Sequence, residues 1–273
     1  MIIEIFLIFA FGAIVGSFLN VLLLRKNTGE SIVAGGSRCF SCGKKLGVWG
    51  LIPILSFAML RGRCRYCGSK ISWQYPIVEI LTGLMASAVF FKLSISNYQF
   101  PNNFQFPIFN FQTPDWLFIY YFAAFSSLFL VAAYDFKTKI IDSHFLYAFG
   151  AFAVLEFLMR GWGDMRLLAG DLASSFFIAL FFYLMWRLSL GRWMGRGDAD
   201  LAFLTSLFLG SYANLAALFL AFWIGGIIGA ILLIFAKSYS FKSEIPFGPF
   251  LVLGAFLAWY FSDVLGWFGV LWG

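Results

Sequence analysis

Charge is scarce in this chain. Lys, Arg, Asp and Glu make up 12% of its 273 residues, whereas 62% are hydrophobic. A water-soluble fold of this length cannot hide so much apolar surface, which excludes the soluble classes and leaves a multi-pass membrane protein. Histidine is nearly absent. His144 is the single one, which removes histidine-centred triads and leaves a polar helix-start residue. Alternating strand-like decamers are missing as well. The apolar runs are about 20 residues long, so the spans are expected to be helices, not barrel strands. The opening residues Met1-Ile2-Ile3-Glu4 lack the basic region of a cleavable signal peptide, and the first apolar run reads as a retained span. No internal repeat, low-complexity tail or Gly-rich nucleotide loop stands out. The net charge of +6 lies in loops, where basic residues determine topology and do not indicate nucleic acid.

Eight apolar segments are present, at residues 2–24, 75–91, 116–134, 143–159, 167–186, 199–210, 215–236 and 250–272. The sixth is short for about 30 Å of hydrocarbon. Eight spans place both termini on one side, and alternate loops then fall on opposite faces. One set of loops holds sixteen of the 19 basic residues, nine of them between Arg25 and Lys70. The other set holds Lys92, Arg160 and Arg166. The positive-inside rule makes the first set cytoplasmic and turns the termini outward. The outer loop at 94–114 has no Lys, Arg, Asp or Glu and is expected to lie near the headgroups. The expected fold class is therefore an all-α polytopic membrane protein of about eight transmembrane helices with a small cytoplasmic loop, whose two CxxC pairs, Cys39/Cys42 and Cys64/Cys67, read as zinc knuckles. In domain terms, residues 1–273 form one membrane-embedded unit, 25–74 the inserted loop, and 115–272 a six-span core.

All four cysteines lie in the 25–74 loop, as Cys39-Phe-Ser-Cys42 and Cys64-Arg-Tyr-Cys67, and each pair is followed by glycine, Gly43 and Gly68. A CxxC turn aims two thiolates at one ion, and two such turns complete a tetrahedral four-thiolate zinc site. The 21 residues between the pairs slightly exceed the common spacing. Disulfides or free thiols are the competing reading, and a reducing cytoplasm disfavours structural disulfides. With all four ligands from protein, the zinc is expected to be structural, folding a loop with little core of its own.

Two aspartates mark the exits of the third and fifth spans: Asp135 in Ala133-Tyr134-Asp135-Phe136-Lys137, and Asp198 in Gly195-Arg196-Gly197-Asp198. A carboxylate within the bilayer costs about 2.5–3.5 kcal/mol on insertion scales, so such groups are paired, protonated or functional. Both fall at the cytoplasmic edge. Two carboxyls there can share a proton and activate water, as in aspartic proteolysis. Taken singly, Asp198 could instead cap the sixth helix, and Asp135 could pair with Lys137 or Lys139. Gly195 and Gly197 would let the backbone approach an extended peptide and adopt positive φ. Asp142 reads as a helix cap, Asp115 as a loop or cap residue, and Asp200 points away from Asp198 on a helix. Glu156 and Asp171 are expected to pair structurally with Arg160 or Arg166. Glu4 and Asp263 lie toward the outer side. Glu79 reads as a first-turn charge of the second span.

Pro246-Phe247-Gly248-Pro249 cannot continue a regular helix. It is either a turn or a non-helical segment beside the catalytic water, shielded by protein. Gly12-Ala-Ile-Val-Gly16 and Gly225-Gly-Ile-Ile-Gly229 are small-xxx-small patterns that let helices pack closely.

Together these residues resemble the bacterial type IV prepilin peptidases, the leader peptidases of pilus and type II secretion systems. The resemblance covers most of the chain. It runs through Gly16-Ser-Phe-Leu-Asn20-Val21 with Arg25, the two CxxC knuckles, Ile71-Ser-Trp-Gln-Tyr-Pro-Ile-Val-Glu79, Asp135, Gly195-Arg-Gly-Asp198 and Ile245-Pro-Phe-Gly-Pro249. It implies an aspartic protease of the inner membrane that cuts the short basic leader from prepilins or pseudopilins at the cytoplasmic surface, after a glycine, with Asp135 and Asp198 as the catalytic pair. Relatives with the cysteine loop also methylate the new N-terminal amine with S-adenosylmethionine; for the donor site here Glu79 and Asn20 are the suggestions. The chain departs from the family pattern at Ile141, where proline is usual, and at Asp200, where lysine is usual. A presenilin-like protease with other substrates, methyl transfer alone, and a non-catalytic zinc-bearing scaffold or transporter are the alternatives.

Overall fold

The computed structural model describes residues 2–32, 36–95, 115–235 and 245–262. Nine α-helices appear among them: α1 (Ile2–Arg25), α2 (Leu55–Met59), α3 (Gln74–Ile95), α4 (Asp115–Thr138), α5 (Ser143–Arg160), α6 (Met165–Ser189), α7 (Arg196–Leu209), α8 (Ser211–Phe235) and α9 (Gly248–Tyr260). The described residues contain no strand, only two isolated bridges, Arg38 with Lys45 and Arg63 with Lys70. The all-helical polytopic class is therefore what the chain adopts.

Each of the eight apolar segments is a helix where described. Five are long and apolar enough to cross a bilayer: Ile3–Arg25, Gln74–Ser94, Trp116–Thr138, Met165–Ser189 and Ser211–Phe235. The helices at the fourth, sixth and eighth places, α5, α7 and α9, have 18, 14 and 13 residues, so eight crossings remain an expectation. The end of the last expected segment, with Asp263, and the 96–114 stretch of the outer loop lie outside the described residues, as do Lys237 and Lys242.

The chain forms two compact units, residues 1–122 and 123–273, with the boundary inside α4. In the first unit α1 lies directly on α3. A Cβ on Gly12 would stand 2.6 Å from the Thr82 carbonyl oxygen, and one on Gly16 2.9 Å from the Glu79 Cα. These glycines thus bring two backbones together, as the small-xxx-small pattern requires. Above them Phe11 packs against Phe118 and Phe122, whose rings stack 5.7 Å apart.

In the second unit α7 is the central helix, packed against α5, α6, α8 and α9. Eight of its 14 residues are buried, from Asp198 to Phe208. Protein surrounds this helix, so it can be short and begin with polar residues. Around it, Phe125 of α4 meets Phe208, Phe256 and Trp259. The glycine pattern in α8 plays a smaller part than its spacing suggests. Gly225 faces the Phe250 ring and Gly229 reaches only Ile245 at 4.0 Å. The tight crossing of α8 and α9 is made by Gly254, where a Cβ would lie 2.9 Å from the Ala221 nitrogen.

Polar side chains fasten the turn between α7 and α8. Asp171, 1% exposed, receives Arg160 Nη1 at 2.9 Å and the Ser211 amide at 2.8 Å. Arg160 also donates to the Phe208 carbonyl and lies 3.8 Å from Glu156. The expected pairing of Glu156 and Asp171 falls to Arg160. Arg166 lies instead in the first turn of α6, whose start is capped by the Asp164 carboxylate.

Candidate active site and metal centre

Asp135 sits in the last turn of α4. The helix ends just beyond it, where Lys139 takes a positive φ of 57° and its amide closes on the Asp135 carbonyl at 2.7 Å. The carboxylate is 4% exposed, and Oδ2 accepts the Gly248 amide at 3.1 Å. Asp135 is thus directed into the bundle and not toward solvent.

Gly248 is the first residue of α9, and its amide is one of the helix-start donors that no carbonyl of the same helix satisfies. A Cβ there would stand 2.5 Å from Asp135 Oδ2. Only glycine permits the approach. Pro249 follows within the first turn, where a missing N–H costs nothing. Pro246 and Phe247 are non-helical residues leading into this start. The Pro-Phe-Gly-Pro stretch is thus non-helical in its first half and opens α9 in its second, and its glycine lies against Asp135.

Asp198 is the third residue of α7 and is 6% exposed. Its Oδ2 reaches back to the Gly195 amide at 2.9 Å, the carboxylate half of a capping box. Gly195, not Asp198, occupies the cap position, at an ordinary extended φ of −75°. Neither Gly195 nor Gly197 takes a positive φ; Gly197 serves by lacking a side chain, whereas a Cβ on Gly195 would meet only Asp198 Oδ2, at 3.4 Å. A Cβ on Gly197 would lie 3.0 Å from the Ile141 Cβ. That contact gives Ile141 a role the sequence did not signal: it packs on the glycine loop. Asp142, next to it, caps α5 through the His144 and Phe145 amides. Asp200 is exposed on the far side of α7.

The two carboxylates are close enough for the charge of Asp135 to act on Asp198. Helix ends from α4, α7 and α9 thus gather two buried acids and a backbone donor within one unit. This arrangement can hold a shared proton, a water and a polarised carbonyl.

Glu79 and Asn20 lie together in the first unit. Glu79 Oε2 accepts the Ile54 amide at 2.7 Å, and the Ser17 hydroxyl also donates to the carboxylate. Asn20 donates to the Tyr75 carbonyl at 3.2 Å and accepts from Gln74 Nε2 at 3.4 Å. These bonds hold α1, α3 and the loop together.

The four cysteine sulfurs lie within 4.8 Å of one another, with Cys39 and Cys67 at 3.8 Å. Zn–S bonds of about 2.3 Å set tetrahedral sulfurs about 3.8 Å apart, so the cluster fits the ion. The two knuckles are built alike. Each has the form Arg-Cys-x-x-Cys-Gly-x-Lys, with a bridge from Arg to Lys, and its glycine at a φ of 70° or 71° returns an amide to the first cysteine carbonyl at 2.9 Å. This eight-residue repeat, from Arg38 and from Arg63, is present in the residue order, where no internal repeat was expected. The Cys42 amide and then the Ser69 hydroxyl stabilise the Cys39 thiolate and lower its pKa to about 6. The Ser69 hydroxyl likewise lowers Cys67. At Cys42 the Lys44 amide is outweighed by desolvation and the other sulfurs, and the pKa rises to about 11. Four crowded sulfurs resist joint ionisation unless a cation sits among them.

Two family patterns match the chain. Bacterial Peptidase A24 N-terminal domain covers residues 10–93, and Type IV leader peptidase family covers 122–230. Among curated relatives, a Prepilin leader peptidase/N-methyltransferase of Bacillus subtilis (strain 168) is 29% identical over 258 residues, 94% of each chain. The relative of that name from Aeromonas salmonicida (strain A449) is 25% identical over 95% of this chain and 94% of its own. A third, from Myxococcus xanthus (strain DK1622), is 51% identical over 78 residues, 29% of this chain and 23% of the relative. No solved structure matches. Asp135 and Asp198 both fall inside the second matched region, the cysteine cluster inside the first, and the chain belongs to the type IV leader peptidase family.

Proposed function

We propose that this chain is an aspartic endopeptidase of the bacterial inner membrane that removes the short basic leader from type IV prepilins and pseudopilins. What supports the reading is that Asp135 and Asp198 are both buried within one unit, near enough for the charge of one to act on the other, with Asp135 held by the Gly248 amide. Close like charges resist joint ionisation, so the pair holds one proton. The ionised carboxylate takes a proton from water, and the resulting hydroxide attacks the scissile carbonyl carbon. The protonated partner donates to the carbonyl oxygen, giving a gem-diol; the first carboxyl then passes the proton it took from water to the nitrogen while its partner takes one back from the diol, and the C–N bond breaks to release the amine and the carboxylic acid. Asp135 Oδ2 is fixed by Gly248 and Asp198 Oδ2 by Gly195, which holds both oxygens at low reorganisation cost. The hydrophobic stem of the substrate lies between helices and its basic leader in the cytosol. The distribution of basic residues supports a cytoplasmic site with the termini outward.

Cys39, Cys42, Cys64 and Cys67 would hold a structural zinc ion that folds the 25–74 loop. S-adenosylmethionine, when bound, supplies the methyl group for the new N-terminus; the printed names of the relatives support this second activity. The test is to incubate the reconstituted protein with a prepilin, with and without S-adenosylmethionine, and weigh the product. A product shorter by the leader supports the peptidase, and 14 Da more (about one methylene) with the donor supports methyl transfer. An unchanged mass in both arms overturns the reading.

A further inference from the structure

The cytoplasmic loop carries an apolar surface that neither the metal site nor the acid pair uses. Trp49 and Met59 are 74% and 76% exposed, and Leu51, Leu55 and Trp73 are exposed as well. Leu55 and Met59 stand four residues apart on α2, hence on one face, and α2 has no buried residue. A soluble domain does not leave so much aromatic and aliphatic surface in water without a partner.

Two contacts fix where this surface sits. The Ile54 amide, at the start of α2, donates to Glu79 on α3 at 2.7 Å. Glu79 lies five positions after Gln74, where the candidate span begins. At 1.5 Å per residue that is about 8 Å along the span. The Trp73 ring, just before α3, packs on Phe57 of α2 with centroids 4.8 Å apart. The segment is therefore tied to the first turns of a candidate membrane helix, near the boundary where interfacial amphipathic segments bury their apolar face about 5–10 Å deep. Ile54 holds a φ of 63° to make the turn, an uncommon backbone for a β-branched residue. Immediately beyond α2 come Arg61, Arg63 and Arg65, all exposed. Between Arg25 and Lys70 there are nine basic residues and one acid, Glu30.

We propose that residues 49–59 dock into the cytoplasmic headgroup layer, their apolar side chains entering the acyl boundary while Arg61, Arg63 and Arg65 bind the phosphates of anionic lipids. The charge argues for lipid over substrate, because the leader of the proposed substrate is itself basic. The inference rests on the cytoplasmic placement of the 25–74 loop and not on catalysis.

The test is amide hydrogen exchange of the full-length protein in nanodiscs of phosphatidylglycerol or of phosphatidylcholine, without substrate. Exchange across 51–59 is expected to be at least about tenfold slower in phosphatidylglycerol. The Leu55→Asp/Met59→Asp double variant and, separately, an Arg61→Gln/Arg63→Gln/Arg65→Gln variant should each abolish the difference at unchanged metal content. Equal exchange in the two lipids, or slow exchange that survives in both variants, overturns the proposal. Protection that appears only with added prepilin, or only at high protein-to-disc ratio, assigns the face to substrate or to a second copy and also overturns it. Prepilin cleavage in the same discs is scored separately, so that loss of lipid docking and loss of the peptidase reading are told apart.

Discussion

The Gly248 amide donates to Asp135 Oδ2 at 3.1 Å, and a methyl group on Gly248 would stand 2.5 Å from that oxygen. The start of α9 and the end of α4 thus meet with no room for a side chain. Gly248→Ala is expected to displace the carboxylate and lower prepilin cleavage on the order of a hundredfold, as small misplacements of reacting groups do. The protein should still insert and keep its metal. Cleavage kinetics in nanodiscs check this, and near-normal turnover would remove Gly248 from the site.

Gly197 and Ile141 form a second such pair, at 3.0 Å. Gly197→Ala should slow cleavage, and Ile141→Gly in the same chain, which removes the Cβ that the new methyl meets, should recover part of the loss. The double-mutant cycle is expected to show a coupling of roughly 0.5–3 kcal/mol. Additive effects would mean that the contact does not position Asp198.

Arg160 and Asp171 test the frame and not the chemistry. Arg160→Ala leaves a carboxylate that is 1% exposed without its cation. Loss of one partner of a fully buried pair costs about 3–5 kcal/mol, and Arg160, a quarter exposed, should fall below that range. Thermal unfolding of Arg160→Ala should show a clear drop, whereas Asp171→Asn, which keeps an acceptor for the Ser211 amide, should lose less.

The metal site makes a separate expectation. Purified protein should carry one zinc per chain, and Cys64→Ser should release it. Ligand thiols must be deprotonated to bind, so zinc is released as pH falls and retained as it rises. With the metal gone, the 25–74 loop should become a trypsin substrate at Arg61, Arg63 and Arg65. Unchanged resistance to trypsin would mean that the loop folds without the ion.

Much of this architecture was legible in the residue order because hydrocarbon imposes simple rules. Apolar runs near the length of a bilayer became helices with starts close to those expected, and the acids in or near spans, Glu156 and Asp171, found Arg160. The thiol spacing led to a cluster of four sulfurs. Tertiary proximity was harder to see. Nothing in Pro246-Phe247-Gly248-Pro249 states that its glycine faces Asp135, 113 positions earlier. The Ile54–Glu79 hook joins a loop amide to a span, and amides carry no sequence signal. Helix α2 is too short for a periodic pattern to reveal. The glycines of α8 show that a small-xxx-small pattern marks a possible crossing and not which helix uses it: Gly254 of α9 makes the close approach. The Asp164 cap stands directly before an apolar run, the sequence position at which a capping acid is expected.

The most direct measurement is the mass of a prepilin after incubation with reconstituted Asp135→Asn or Asp198→Asn protein beside the unaltered chain. Both substitutions keep the shape and the hydrogen-bond acceptor while removing the ability to share a proton. The account expects full-length prepilin with either variant and leader-free product with the unaltered chain, all three proteins inserting and holding zinc alike. Leader-free product from either variant at a rate near that of the unaltered chain would contradict it.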